Sequence, residues 1–417
     1  MKTQSLSARA DMFPVKIYGE QVAEIPNIED KGSLSYFGSS CYLRLTKLRR
    51  DQMGIEHSKV NTLAFENDNY FVNASEDDTN APATYKVVPY EEHIEKGLDK
   101  DVKWAVRNVP FNYPGQGATK LWPDIIKADN KNSILDYQSD VLPIALMRGN
   151  DSDLKDMRHR FLHDYGLYKV RPYPFKTFLE WNAKVPTAGY FCIKDFDDDI
   201  TVKTDISDYQ YDFRSKGIIV TPDTKDEVDF IFSCLDKESY IWNSVSLTES
   251  VINTKSMKIK NDKLFSFTKT SVFKHPMVIK LNKNGTYLLG YTSEILDTES
   301  INYDKIVTPY QCSGYASGRN DLGNVTFVPA GIQLMSSYRW TPINKDEEKY
   351  HINYLQSLPV NYLLENWRTS QTNDAPQLKI IPKLTEQVTN VKDILIMLGG
   401  QDLEKEIING YNRKITA

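Results

Sequence analysis

Asn108-Val109-Pro110-Phe111 is the stretch of this chain best equipped for chemistry. It follows a mostly apolar run, Val102 to Val106, that predicts a buried strand, and it leads into Asn112-Tyr113-Pro114-Gly115. A strand that ends on a carboxamide, a proline and an aromatic ring assembles what is needed to grip an exocyclic amino group. The Asn108 side chain and the backbone carbonyl before Pro110 can both accept hydrogen bonds from an amine, and the Phe111 ring offers a face for stacking on a base. Ligands of open α/β sheets bind beyond the carboxyl ends of the strands. A four-residue string of this kind also ends many strands in a plain turn, so the surrounding elements must decide between the two.

Those elements alternate. Leu34 to Phe37 predicts a strand, Gly38-Ser39-Ser40 a tight turn, and Tyr42 to Leu48 a basic helix. Lys59 to Glu66 predicts a second strand that ends on a carboxylate, the beginning of a β-α-β unit. After the strand at 102–106 come a helix around Leu121 to Ile126, a strand at Val141 to Met147, an amphipathic helix at Ser152 to Tyr165 capped by Ser152 or Asp151, and a strand at Ala188 to Ile193. Strands alternating with helices over residues 30–200 indicate an α/β sheet covered on both faces. Beyond about residue 205 Tyr, Asn, Lys and Thr become dense and turn signals such as Asn284-Gly285 and Ser317-Gly318 recur, which predicts a second, mixed α/β domain with a helical end from Val391 to Tyr411.

With 417 residues the chain is long enough for two or three domains. Its 40% hydrophobic and 26% charged residues are an ordinary globular composition, and a net charge of -5 carries no overall basic signature. A local basic face can still coexist with an acidic total. Cys41, Cys192, Cys234 and Cys312 form no C-x-x-C pair, which argues against zinc and against a disulfide scaffold and points to a reducing cytoplasm. Neither a signal peptide nor a run approaching ~18 apolar residues is present, so no membrane is expected. His159 and His163, spaced i, i+4, predict an exposed helix face rather than a metal site, and Asp195 with Asp197 to Asp199 predicts a solvated hairpin turn lacking the Gly and Glu of a calcium loop.

Taken in order, the segments resemble the S-adenosylmethionine-dependent N6-adenine DNA methyltransferases of restriction-modification systems. Asn108-Val109-Pro110-Phe111 resembles their catalytic [DNS]-P-P-[YFW], with Val109 in place of the first proline. Leu34 to Leu43 falls where the family has D-P-x-C-G-x-G-x-F-L; Gly38 and Leu43 match, and Leu34 stands in place of the acid. The resemblance implies a Rossmann-like methyltransferase sheet with a C-terminal mixed α/β target-recognition domain. It divides the chain into an N-terminal extension (1–30), a methyltransferase-like domain (31–240) and a DNA-binding, target-recognition-like domain (241–417). It further implies Asn108, Pro110 and Phe111 as catalytic, Gly38, Ser40 and Glu66 as binding S-adenosylmethionine, with Glu66 on the ribose hydroxyls, and Phe178 as the second ring of a sandwich around the flipped adenine.

In the C-terminal half, Tyr303 to Pro309 followed by Ser313 to Arg319 resembles the strand and glycine-rich loop of the recognition domains. Arg319 and Asn320 are expected to read base edges, and Lys274 and Lys280, with His275 and Lys283, to contact phosphate. The implied partner is double-stranded DNA, with a protein partner or a homodimer open, and no metal is required. Two alternatives stand beside this. The departures at Leu34 and Ser40 also fit a catalytically inactive pseudo-methyltransferase, a pseudoenzyme of phage origin that binds DNA or a partner, and the Asn-, Asp- and Tyr-rich composition fits a viral structural protein.

Overall fold

A computed structural model describes residues 118–148, 152–173, 187–247, 251–253, 256–282, 284–311, 322–367, 373 and 375–409, together with 33–37, 60–63, 85–88, 94–98 and 102–107. The chain is mixed α/β and falls into two compact units, Met1–Lys225 and Asp226–Thr416. Among the described residues no helix is long and apolar enough to cross a membrane.

The first unit is built on one nine-stranded sheet. Its strands are β1 (Ser33–Phe37), β2 (Val60–Leu63), β3 (Tyr85–Val88), β4 (Val102–Arg107), β5 (Tyr137–Pro143), β6 (Leu167–Pro172), β7 (Thr187–Ile193), β8 (Ile200–Lys203) and β9 (Asp208–Tyr211), in the spatial order β3-β2-β1-β4-β5-β7-β6-β8-β9. From β3 to β5 every pairing is parallel. β7 then runs antiparallel to both of its neighbours, β5 and β6. Parallel neighbours need crossover connections, and α1 (Ala118–Asp129) supplies one between β4 and β5. α2 (Ser152–His163) follows β5 and buries Leu154, Met157, Phe161 and Leu162, the i, i+3, i+4 stripe of an amphipathic helix, while His159 and His163 stay exposed with ring centroids 4.5 Å apart.

Two local expectations are corrected. The strand expected at Val141 to Met147 begins four residues earlier, at Tyr137, and ends at Pro143, after which Ile144–Arg148 is 3-10 helix. Proline has no N–H to continue the ladder, and the polar Gln138, Ser139 and Asp140 that masked the strand are fully enclosed. Asp195 and Asp197 to Asp199 are exposed as expected, but their turn is no hairpin, because β6 lies between β7 and β8. Arg214, in α3 (Phe213–Lys216), steadies that turn by donating to the carbonyls of Asp198 and Phe196, with Leu167 O at 2.9 Å as a third acceptor.

In the second unit α4 (Lys225–Leu235) precedes three small sheets. The first holds β10 (Asn243–Ser244), β19 (Tyr338–Pro342), β16 (Lys305–Pro309) and β17 (Thr326–Val328); the second is the pair β11 (Ile252–Asn253) and β12 (Lys258–Ile259); the third holds β13 (Phe265–Ser266), β15 (Tyr287–Thr292), β14 (His275–Leu281) and β18 (Gln333–Leu334). Val251, Phe265, Met277, Val307, Val328 and Trp340 belong to a core shared by these sheets. Two helices follow, α5 (Glu348–Leu355) and α6 (Leu358–Trp367), and Pro359 sits in the first turn of α6, where its missing N–H costs nothing. α6 buries Val360, Leu363 and Leu364, each worth about 1.5–3 kcal/mol. After the short α7 (Ala375–Leu378), α8 (Val391–Leu398) ends where Gly399, at φ 82°, takes the left-handed capping conformation, and past Gly400 the chain is helical again over 401–409.

Candidate functional site

The order of the first sheet reverses at one place. From β1 the chain steps outward to β2 and β3, then returns to the other side of β1 as β4 and continues to β5. That reversal between β1 and β4 is a topological switch point, where the crevice beyond the strand carboxyl ends holds ligands in open α/β sheets. Here the carboxyl ends of three strands are aligned: Leu63 of β2 pairs with Phe37 of β1 and Phe37 with Arg107 of β4, while Arg107 pairs with Asp140, the middle residue of β5, which runs on to Pro143.

Three of the expected site segments begin at this line. Gly38 is the next residue after Phe37, Asn108 the next after Arg107, and Glu66 lies three residues beyond Leu63 in sequence. Gly38, Ser40, Glu66, Asn108, Pro110 and Phe111 themselves lie outside the described residues, as does Phe178. Asp140 is a member of the line that the sequence did not single out. It is fully buried and its neighbour in register across β7 is Tyr190, also fully buried. A buried carboxylate in the middle of a central strand is costly unless partnered. The apolar run that followed it placed the strand four residues too late and left Asp140 looking like a loop residue.

In the second unit, Arg319 and Asn320 lie outside the described residues, but both ends of their loop are visible. Asn373, fully buried, donates from Nδ2 to Pro309 O at 2.6 Å and Leu322 O at 3.0 Å, and its own N–H donates to Tyr310 O at 2.7 Å. The Thr308 hydroxyl also donates to Leu322 O. One side chain thus ties the residues before the loop to those after it, and Arg339 lies over the Tyr310 ring at 4.1 Å. Lys274 and Lys280 are exposed, Lys274 immediately before β14 and Lys280 within it, beside an irregularity in its pairing with β15.

The second unit also contains a cavity of ≈ 500 Å³ lined by Tyr240, Tyr303, Glu347, Tyr350 and His351 among others. The Tyr240 hydroxyl lies 2.6 Å from His351 Nδ1, and His351 Nε2 lies 3.8 Å from Glu347. Burial lowers the His351 pKa against the raising effect of Glu347, and burial raises that of Tyr240. Glu238 and Glu386 add to the negative lining and Lys383 opposes it. Such a lining does not suit a phosphate backbone. Among the described residues no group of three His, Cys, Asp or Glu could hold a metal ion.

No family model matches the sequence, and no curated protein matches it. Solved structures do. The type IIL restriction-modification enzyme MmeI, in a complex with DNA, superimposes with a TM-score of 0.51 and 8% identity over 99% of this chain and 74% of that one. The likeness to MmeI is one of fold. The type IIG restriction endonuclease BpuSI aligns with a TM-score of 0.40 and 9% identity over 99% and 65% of the two chains. The M protein of the type I restriction enzyme EcoKI aligns with a TM-score of 0.36 and 12% identity over 46% of this chain and 47% of that one. The chain therefore spans less than half the length of the type I proteins it matches.

Proposed function

We propose that this chain is an S-adenosylmethionine-dependent DNA methyltransferase of the restriction-modification class that acts on the N6 amine of adenine. The observation that carries the proposal is the aligned carboxyl edge Leu63, Phe37, Arg107 at the switch point, from which the Gly38 turn, Glu66 and Asn108-Val109-Pro110-Phe111 all lead out in sequence. A fold shared with MmeI over nearly the whole chain supports it. On this view residues 31–240 carry the chemistry, and 241–417 is the target-recognition part.

The residues then divide the work. Gly38 and Ser40 turn the backbone against the cofactor, and Glu66 accepts the two ribose hydroxyls, as carboxylates do in dinucleotide folds. When bound, S-adenosylmethionine supplies the electrophilic methyl group. Asn108 and the backbone carbonyl before Pro110 accept hydrogen bonds from the adenine amine and aim its lone pair at that group. Phe111 and Phe178 enclose the extruded base and recover part of the few kcal/mol lost on unstacking. Catalysis is mainly positioning and desolvation. Arg319 and Asn320 read base edges from the loop held by Asn373, and Lys274 and Lys280 meet phosphates of double-stranded DNA.

Calorimetry with S-adenosylmethionine, followed by methyl transfer to duplex DNA, tests the proposal. Saturable heat and labelled N6-methyladenine are expected. Asn108→Ala is expected to abolish transfer while leaving DNA binding intact. No heat at millimolar cofactor, with DNA binding retained, would leave a DNA-binding relative without methyl transfer.

A further inference from the structure

We propose that the lysine-rich segment running from β12 to β14 is a phosphate clamp, which gives the protein its salt-dependent grip on duplex DNA without choosing the sequence. This rests on the DNA-binding part of the function proposed above and not on methyl transfer. Between Lys255 and Lys283 the chain carries eight lysines, one acid, Asp262, and no arginine. Eight lysines against one aspartate give +7 in a protein of net charge -5, leaving -12 elsewhere. Lys258, Lys260, Lys263, Lys269, Lys274 and Lys280 are all exposed, and none forms an ion pair among the described residues.

The backbone gathers several of these charges at one end of a sheet. β13 and β14 flank β15 on opposite sides, so residues 267–274 cross over its end. On one side Ser293 donates to Leu264 O at 3.0 Å and its hydroxyl to Lys263 O at 3.3 Å; on the other, Lys274 N donates to Thr292 O at 3.2 Å. Lys263 and Lys274 therefore flank two consecutive residues of one strand end, and Lys269 lies in the arm between them. Lys260 precedes the turn in which Asn261 O accepts from Leu264 and Phe265. The arm has fixed geometry: Thr270 N donates to Phe273 O at 3.0 Å and Phe273 N to the Thr270 hydroxyl at 2.9 Å. Phe267, half-exposed, is braced edge-on against Phe265. Asp262 and Glu294 are the exposed acids carried by these same segments.

Exposed lysines held apart along one strand end complement a polyanion. Lysine is a compact point charge, whereas bidentate recognition of guanine falls to arginine, which this segment lacks. Phosphate contacts fix position and affinity but carry no sequence information. The clamp is tested by replacing Lys260, Lys263 and Lys269 with glutamine together in the full chain and measuring affinity for two duplexes of unrelated sequence from 50 to 200 mM salt. The plot of log affinity against log salt should flatten by roughly 2 to 3, at about 0.9 per lost contact, equally on both duplexes, and the unfolding midpoint should not move. An unchanged slope on both duplexes overturns the clamp, and so does a loss confined to one. Duplex binding with the expected slopes but no heat from S-adenosylmethionine would sustain the clamp and refute methyl transfer. A wild-type chain that binds neither duplex at low salt would remove both.

Discussion

At the scale of single residues, two positions carry sharp consequences. Gly166 links α2 to β6 at φ 68°, and a Cβ there would run into the Ile193 carbonyl, whose own N–H donates to Gly166 O at 2.9 Å. Both the left-handed backbone and the close approach demand glycine. Gly166→Ala is expected to lower the stability of the first unit by about 1–3 kcal/mol, read as a shift of its denaturant midpoint; an unshifted midpoint would contradict this geometry. Lys305 is the second. It is fully buried, and its ammonium donates to the carbonyls of Tyr303, Pro329 and Ile332 at 3.1, 3.4 and 2.9 Å. Burial lowers its pKa from 10.5 to about 8, against the raising influence of Asp297 and Asp304. Between these two values the unfolded chain binds more protons than the folded one, so the contribution of this group to stability rises with pH across that window and is flat below it. Lys305→Met leaves three carbonyls unpaired and removes the rise. Its penalty, measured by unfolding at a series of pH values, should grow from pH 8 to 10.5; a constant penalty would mean that the ammonium is not the titrating group.

At the scale of elements, what was legible in the sequence followed from local pattern, and what was missed depended on partners. β1, β4, β7, α1 and α2 all lie where apolar spacing put them, because each is a continuous element whose period is visible in a few residues. β5 was displaced because it is a central strand enclosed on both faces, where Gln138, Ser139 and Asp140 occupy positions that alternation assigns to apolar side chains. The C-terminal segment is helical over most of its expected length, but Gly399 and Gly400, the latter lying against the Phe230 ring, interrupt it before the helix resumes over 401–409. Asn373 was invisible for a different reason: its three backbone acceptors lie more than fifty residues away in sequence. That clamp gives the loop from Tyr310 to Leu322 fixed ends. Asn373→Leu should cost about 1–3 kcal/mol for each buried carbonyl it orphans and should speed proteolysis between Tyr310 and Leu322 more than elsewhere. Uniform cleavage across the chain would argue that Asn373 supports the core in general and not the loop.

At the scale of the whole molecule, the two units have separate sheets, and each candidate role belongs to one of them. The aligned strand ends at the switch point lie in the first unit, whereas Lys305, the loop held by Asn373 and the lysine arm lie in the second. A ligand that binds only the folded state stabilises the cooperative unit containing its site, by about 2.7 kcal/mol at a hundredfold excess over Kd. Chains of more than one unit commonly depart from a single two-state transition. If the proposed division of labour holds, S-adenosylmethionine should raise the unfolding temperature of the transition that Gly166→Ala lowers. It should leave unmoved the transition that Lys305→Met lowers. The Asn108→Ala variant should keep this cofactor-induced shift although it transfers no methyl group, since Asn108 is assigned to the adenine amine and not to the cofactor. Scanning calorimetry of the three variants with and without S-adenosylmethionine separates the possibilities: a shift in the Lys305-sensitive transition alone would move the cofactor site out of the first sheet. A shift lost in Asn108→Ala would reassign that side chain from the base to the cofactor.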